Sequence, residues 1–271
     1  MKLKNYLELF GFRAKARHYG FEDHEFDLAC GRVSYAQWQH PKETGKVITD
    51  AMVDAYRSYI GEGDFCIDIG AHTGDSTLPM AIAATPSGCA LAMEPNPFVY
   101  HVLEKNARAN SGIANIETIM AAVTQQDGFV EFEYSDAGYC NGGRHENISP
   151  LQHGHAYKLE VFGINLEREL RLHYAERLPR LKFVKVDTEG FDLYVLRSLE
   201  QVLAETRPAI KAEVFKETDA EYRAGLLALL NGLGYEVYKI VAEPITPGPL
   251  VTRDNLMDWP HYDILALASK S

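Results

Sequence analysis

The sequence predicts an α/β fold built on a mostly parallel sheet. From about residue 61 onward, strand-like and helix-like segments alternate. The first strand-like run, 64–69, is short and apolar, as expected of a strand buried on both faces. A glycine-bearing turn leads from it directly into a helical segment at 76–84, the order in which a parallel strand hands over to its crossover helix.

Residues 1–60 precede this pattern. The stretch 26–39 fits a hairpin broken at Gly31-Arg32, and 49–60 carries Met52, Val53, Tyr56, Tyr59 and Ile60 at helical spacing. We read 1–60 as a cap packed on the sheet and 61–271 as the main domain. Within that domain, 90–94 forms the second strand. The next helix starts near Pro97, because proline suits a first helical turn. A third strand covers 116–123, and the alternating run 129–134 reads as an extra, half-exposed strand. Residues 137–180 form a less regular insert holding four of the ten histidines. Regular texture resumes with a fourth strand at 182–187 and a helix that aligns Leu193, Leu196, Leu199 and Leu203. The fifth strand is 209–215. Thr218 and Glu221 then form a capping-box pattern before a helix with Tyr222, Leu226, Leu229, Leu230 and Leu233 on one stripe, closed by Gly234. The last two strands, 235–241 and 262–268, are joined by a proline-rich loop without a helix, which favours antiparallel pairing.

Composition excludes several classes. The chain has 271 residues, 46% apolar and 11% aromatic, too rich in core formers for a disordered protein. Its net charge of −11 argues against a nucleic-acid partner. No apolar run approaches the length of a membrane span. Lys2, Lys4 and Glu8 interrupt the first residues, so no secretory signal is expected there. The four cysteines (Cys30, Cys66, Cys89, Cys140) are widely spaced and form no CxxC pair, so we expect reduced thiols and a cytoplasmic protein. Cys66 lies in an apolar run and reads as a small buried hydrophobe.

The turn Asp68-Ile-Gly70-Ala-His72-Thr-Gly74-Asp75-Ser76 occupies the position where an open α/β sheet binds a cofactor. Its G-x-x-x-G spacing differs from the G-x-G-x-x-G of dinucleotide sites. Asp68 would sit badly against a pyrophosphate and well beside a cation. Glu94, at the end of the second strand, can accept two ribose hydroxyl hydrogen bonds. Together these residues ask for a nucleoside with positive charge and no pyrophosphate, a demand that S-adenosylmethionine meets. His72 reads as an exposed loop residue whose backbone faces the cofactor.

The fourth and fifth strands end alike, in Lys185-Val-Asp187-Thr-Glu189-Gly190 and Lys211-Ala-Glu213. Each lysine shares a strand face with the acid two residues on. One reading is a buried lysine–carboxylate network that orders the sheet. The other puts Asp187 and Glu213 against substrate, with Glu189 in the following turn. Methyl transfer to an alcohol needs aligned reactants and a group that takes the hydroxyl proton. A carboxylate, a histidine of the insert, or a divalent cation held by Asp187 and Glu213 would each serve, and the metal requirement stays open.

The segments Cys66-Ile-Asp-Ile-Gly-Ala-His-Thr-Gly-Asp-Ser-Thr-Leu, Met93-Glu-Pro-Asn-Pro and Phe183-Val-Lys-Val-Asp-Thr-Glu-Gly-Phe-Asp resemble the FkbM family of S-adenosylmethionine-dependent methyltransferases. The resemblance spans roughly 61–241, and its Lys-x-Asp-x-Glu-Gly element is the most specific part. It implies a Rossmann-like, doubly wound, seven-stranded, mostly parallel sheet with an antiparallel last strand. It also implies O-methylation of a small molecule or glycan. By position, Asp68, Gly70, Ala71, His72, Gly74, Asp75, Ser76, Glu94 and Asn96 would line the cofactor, with Ala122 near the adenine. The long insert, with His145, His153, His155, His173, Tyr139, Asn141, Arg144 and Tyr157, reads as a lid over the substrate or as ordinary polar loop. A nicotinamide-dependent oxidoreductase and a non-catalytic cofactor-binding protein are the alternatives. The glycine spacing opposes the first and the intact acids oppose the second. Oligomeric state is not legible.

Acidity is unevenly spread. Residues 61–136 hold 2 basic and 11 acidic side chains, whereas 1–60 hold 9 and 8. The half expected to take a cationic cofactor thus carries most of the negative charge.

Overall fold

A computed structural model of the chain describes residues 17–134, 138, 142–143, 157–242 and 245–269. The strands β1 (Phe21–Leu28) and β2 (Gly31–Trp38) pair antiparallel as a separate hairpin. Leu28 pairs with Gly31, so the turn falls at Ala29-Cys30 rather than at the expected Gly31-Arg32. Helix α1 (Asp50–Arg57) follows, capped by Thr49, whose side chain accepts from the Met52 N–H.

The chain then enters the main sheet through β3 (Phe65–Ile69), α2 (Thr77–Ala84), β4 (Cys89–Met93), α3 (Pro97–Ala109) and β5 (Ile116–Ile119). The expected third strand, 116–123, is split. The Ala121 N–H turns back onto the Ile119 carbonyl at 3.1 Å, and this tight kink lifts the chain off the sheet. The remainder, β6 (Ala122–Val123), joins a second sheet with β7 (Gly128–Tyr134), β8 (Gly142–Gly143) and β9 (Tyr157–Ile164) in the order β6-β9-β7-β8. Thus β9 and α4 (Leu166–His173) give regular structure to part of the insert.

The main sheet resumes with β10 (Leu181–Val186), α5 (Asp192–Ser198), α6 (Glu200–Thr206), β11 (Ala209–Val214), α7 (Ala220–Gly232), β12 (Tyr235–Ala242), β13 (Thr246–Leu250) and β14 (Tyr262–Ala268). Its order is β13-β12-β14-β11-β10-β3-β4-β5, with β5, β4, β3, β10 and β11 parallel. The last strand, β14, inserts antiparallel between β11 and β12, as expected. Among the described residues the sheet has eight strands rather than seven, because the proline-rich connection forms β13 as an antiparallel edge. Its prolines suit an edge, where missing donors face no neighbour.

Strand alternation sends side chains to two cores. Phe65, Ile67 and Ile69 pack with α5, α6 and α7, whereas Cys66, Ala90 and Phe183 pack with α1 and α2. Helices on both faces make the fold doubly wound and Rossmann-like. Cys66 is fully buried, as its apolar surroundings suggest. The expected helix carrying Leu193–Leu203 is two helices meeting at Leu199, though all four leucines stay buried. Asp219, not Thr218, caps α7: its side chain accepts from the Tyr222 N–H at 2.8 Å. Thr218 instead donates to the Phe215 carbonyl.

Two contacts set the surroundings of the sheet. Asn106 and Asn110 of α3 hold β2. Asn106 accepts from the Ala36 N–H at 2.6 Å and donates to the Ala36 carbonyl at 3.2 Å. Asn110 does the same for Ser34, at 3.0 and 2.7 Å. At the other end of the sheet Arg223 of α7 is 4% exposed. Its guanidinium donates to the Leu256, Trp259 and Pro260 carbonyls at 3.1, 2.7 and 2.8 Å, pinning the β13–β14 connection. Replacing it strands those acceptors in the interior. Arg223→Met is expected to lower stability by about 2–4 kcal/mol, read as a drop in urea midpoint with unchanged slope.

Candidate active site

The carboxyl ends of β3, β4 and β10 meet below a cavity of about 330 Å³. This is the crevice where the direction of winding reverses, with β4 and β5 on one side of β3 and β10 and β11 on the other. Gly70 closes β3 with φ +78°, and a Cβ there would lie 1.9 Å from the Asp187 carbonyl oxygen. Only glycine lets the two strand ends approach so closely.

Of the residues expected at the cofactor, Gly70, His72, Asp75, Ser76, Glu94, Asn96 and Ala122 line the cavity. Asp68, Ala71 and Gly74 do not. The Asp68 carboxylate is fully buried and already engaged: Lys185 Nζ lies 3.2 Å from one oxygen and Thr77 Oγ1 donates to the other at 2.7 Å. It therefore meets a lysine of the protein rather than a cationic ligand. Ala71 packs with Ala92 and Leu103. Gly74 adopts φ +88° against α3, where a Cβ would come 2.8 Å from Leu103 Cδ1. His72 is not the exposed loop residue expected. Its side chain is 28% exposed and faces the cavity, with φ +50°, and burial lowers its pKa.

Glu94 is 7% exposed at the end of β4. Its oxygens accept from the His72 N–H at 3.0 Å and the Asn96 N–H at 2.8 Å. Burial nevertheless drives its pKa up to about 7. Asp75 is half-buried, and desolvation alone would raise its pKa. Lys46, 3.1 Å away, with His72 and Lys185 holds it below the ordinary carboxylate range instead.

At the other wall stand Lys185, Asp187, Thr188 and Glu189. Lys185 is 5% exposed, and burial opposes its charge. Asp68 at 3.2 Å and Asp187 at 3.3 Å outweigh that and hold its pKa well above the ordinary value. Glu189 is held at φ +54°, and burial and the Asp187 charge raise its pKa. Strained backbone and a raised carboxyl pKa in one cleft residue make Glu189 a candidate functional position.

Glu213 stays out of the cavity. It stands opposite Asp263 of β14, with Oε1 3.5 Å from His261 Nε2. Burial first, then Asp187, Asp192 and Glu189, push its pKa up to about 9. Lys211 likewise pairs with Asp263, at 2.9 Å. Glu213 thus faces β14, whereas Asp187 lines the cavity. Among the described residues, no group of three or more His, Cys, Asp or Glu is placed to hold a metal ion. Of the insert's polar residues, His173 points to solvent on α4, 64% exposed. Tyr157 is buried in β9. Tyr139, Asn141, Arg144, His145, His153 and His155 lie outside the described residues.

Sequence reasoning missed several lining residues. Lys42, Glu43, Thr44 and Lys46 come from the 39–49 strap between β2 and α1, and Phe132 and Tyr134 from β7. Asp192, fully buried, accepts from Thr188 Oγ1 at 2.8 Å and the Glu213 N–H at 3.1 Å, which ties the Thr188–Glu189 turn to β11. Its place directly after Glu-Gly-Phe was the available signal.

Residues 68–237 match the methyltransferase FkbM domain. The chain therefore belongs to the FkbM family of methyltransferases, and it is an S-adenosylmethionine-dependent methyltransferase. It is similar to methyltransferase sdnD of Sordaria araneosa, 24% identical over 219 residues that cover 73% of this chain and 83% of the relative. Among solved structures it overlays on an S-adenosylmethionine-dependent O-methyltransferase from Thermotoga maritima with TM-score 0.44 and 13% identity, covering 92% and 78% of the two chains. A methyltransferase FkbM from Methylobacillus flagellatus gives TM-score 0.43 and 14% identity, covering 79% and 50%.

The cavity chemistry fits a cationic nucleoside. Glu43, Asp75, Glu94, Asp187 and Glu189 face it, against Lys42, Lys46 and Lys185, and Glu94 presents a buried carboxylate where ribose hydroxyls need an acceptor. Accepting two hydroxyls favours the ionised carboxylate, so binding costs a deprotonation below pH 7. Affinity for S-adenosylmethionine is expected to fall about tenfold per unit as pH drops below about 7 and to level off above it. Titration calorimetry in buffers of different ionisation enthalpy should show the linked proton, and Glu94→Gln should abolish the slope.

Proposed function

We propose that the chain is an O-methyltransferase that acts on a hydroxyl of a small molecule or glycan. The observation that carries this reading is the placement of Glu189 at the cavity wall with a raised pKa, beside Asp187 paired to Lys185. An alcohol is a poor nucleophile until it loses its proton, and a carboxyl group of raised pKa is a better base than an ordinary one. In this reading residues 1–60 form a cap, 61–271 carry the transferase domain, and 137–180 are an insert within it.

S-adenosylmethionine, when bound, supplies an electrophilic methyl group on a sulfonium. Gly70, His72, Ser76, Glu94, Asn96 and Ala122 would hold it. Glu189 receives the acceptor's hydroxyl proton. Asp187, fixed by Lys185, orients that hydroxyl. Phe132, Tyr134, Phe191 and Val195 give the cavity an apolar share suited to the body of an organic acceptor rather than to a phosphate backbone. The acidic lining supports an acceptor other than nucleic acid. Among the described residues no helix is long and apolar enough to cross a membrane.

Isotope from methyl-labelled S-adenosylmethionine should appear in ethers that resist mild base, when the enzyme is supplied with hydroxylated acceptors. Exclusive N- or C-methylation would sink the reading. Glu189→Gln should reduce kcat about 10²–10⁴-fold with cofactor affinity little changed. A base must be ionised to act, so wild-type kcat should fall as pH drops through the raised Glu189 pKa, and the variant should lose that acid limb. Turnover should survive a chelator.

A further inference from the structure

The strap 39–49 reaches the cavity from the N-terminal side, outside the matched family domain. Its Glu43 is unusual: the side chain is 7% exposed, and its Oε1 accepts no hydrogen bond among the described residues. A carboxylate oxygen in that state is costly unless a donor completes it. The nearest cation, Lys46 Nζ, lies 3.5 Å away and is closer to Asp75, at 3.1 Å. Three N–H donors on Lys46 against these two carboxylates leave capacity for one further acceptor.

The strap is held for this purpose. The Lys46 N–H donates to Gln37 Oε1 at 2.6 Å, and the Glu43 N–H donates to the His40 carbonyl at 2.9 Å. His72 links the strap to the ribose end of the site. Its backbone N–H donates to Glu94, and its ring Nε2 lies 3.9 Å from Glu43 Oε2. One carboxylate is therefore set a residue's reach from the other, with a lysine beside it.

We propose that Glu43 and Lys46 form a zwitterion site for the α-amino acid end of the methyl donor, Glu43 accepting from the ammonium and Lys46 donating to the carboxylate. The inference rests on S-adenosylmethionine occupying this cavity with its ribose at Glu94. From the ribose, the methionyl arm runs through sulfur and three carbons to a group bearing one positive and one negative charge. A carboxylate and an ammonium side by side match both charges of that group. The family's turn after β3 thus receives the nucleoside, and a segment preceding the family domain selects for the amino acid.

The test compares ligands with and without that end. Calorimetric affinities for S-adenosylmethionine, S-adenosylhomocysteine and 5′-methylthioadenosine are measured on wild type, Glu43→Gln and Lys46→Met. Both variants should bind the first two at least tenfold more weakly, with methylthioadenosine within twofold of wild type. Retained methylthioadenosine binding also certifies that the variants fold. Glu43→Asp, which keeps the charge, should recover part of the loss.

A parallel loss of methylthioadenosine affinity would overturn the proposal, because the strap would then merely support the nucleoside pocket. So would unchanged cofactor affinity with a raised KM for the acceptor, or a wild type that binds methylthioadenosine as tightly as the full cofactor. A wild type that binds none of the three ligands would instead overturn the underlying placement of the cofactor.

Discussion

The seam between β3 and β10 depends on a lysine and an aspartate that meet in the protein interior. Lys185 and Asp68 stand opposite each other in the register of the two strands, with side chains 6% and 0% exposed. Taking both charges out of solvent is expensive, and the pair persists because other groups complete it. Thr77, at the start of α2, donates to the second Asp68 oxygen, and Asp187 lies 3.3 Å from Lys185 Nζ as a second ion pair. One cation therefore fixes the end of β3, the start of α2 and the side chain that projects into the cavity. Beside this network the Asp187 N–H donates to the Ile69 carbonyl at 2.9 Å, and Gly70 leaves room for the Asp187 carbonyl.

The sequence made the sheet and its crevice legible because buried parallel strands are compact apolar runs and a glycine turn marks where they bind. Contacts between distant strands were less legible. Asp68 lies 117 residues from Lys185, and spacing within the turn cannot say whether its partner is a ligand or another strand. Glu213 shows the same limit. It repeats the Lys-x-acid pattern of Asp187, and the register sets Lys211 beside Lys185. Yet β11 lies one strand further from the crevice, where β14 brings Asp263 and His261 against it. A strand-end motif gives the height of a side chain above the sheet; the neighbour on each side decides whether that height is open. The strap was illegible for another reason: Pro41-Lys-Glu-Thr-Gly-Lys46 has no periodicity to announce that a loop carries a buried charge.

The uneven acidity of the sequence acquires a local meaning. Carboxylates from β4, from the turn after β3 and from the end of β10 converge on one cavity, and lysines reach it from the strap and β10. The charges are interleaved rather than massed, so the site can discriminate between parts of one ligand instead of simply attracting cations. The second sheet adds aromatic rings at the same rim, from a region whose sequence showed only a half-exposed strand.

The amide side chains of α3 have a consequence for solubility. Each strand of a two-stranded hairpin leaves an outer row of N–H and C=O groups open to pairing with any passing strand. Asn106 and Asn110, one helical turn apart, repeat every ~6 Å, close to the ~6.8 Å between alternate residues of a strand. They occupy Ser34 and Ala36 of β2 as a neighbouring strand would. The helix thus impersonates a third strand on the β2 side and closes that edge to recruitment. A chain that lost either asparagine would expose part of that edge as a template for aggregation, and loss of Asn106 would also free the Thr73 carbonyl of the glycine turn.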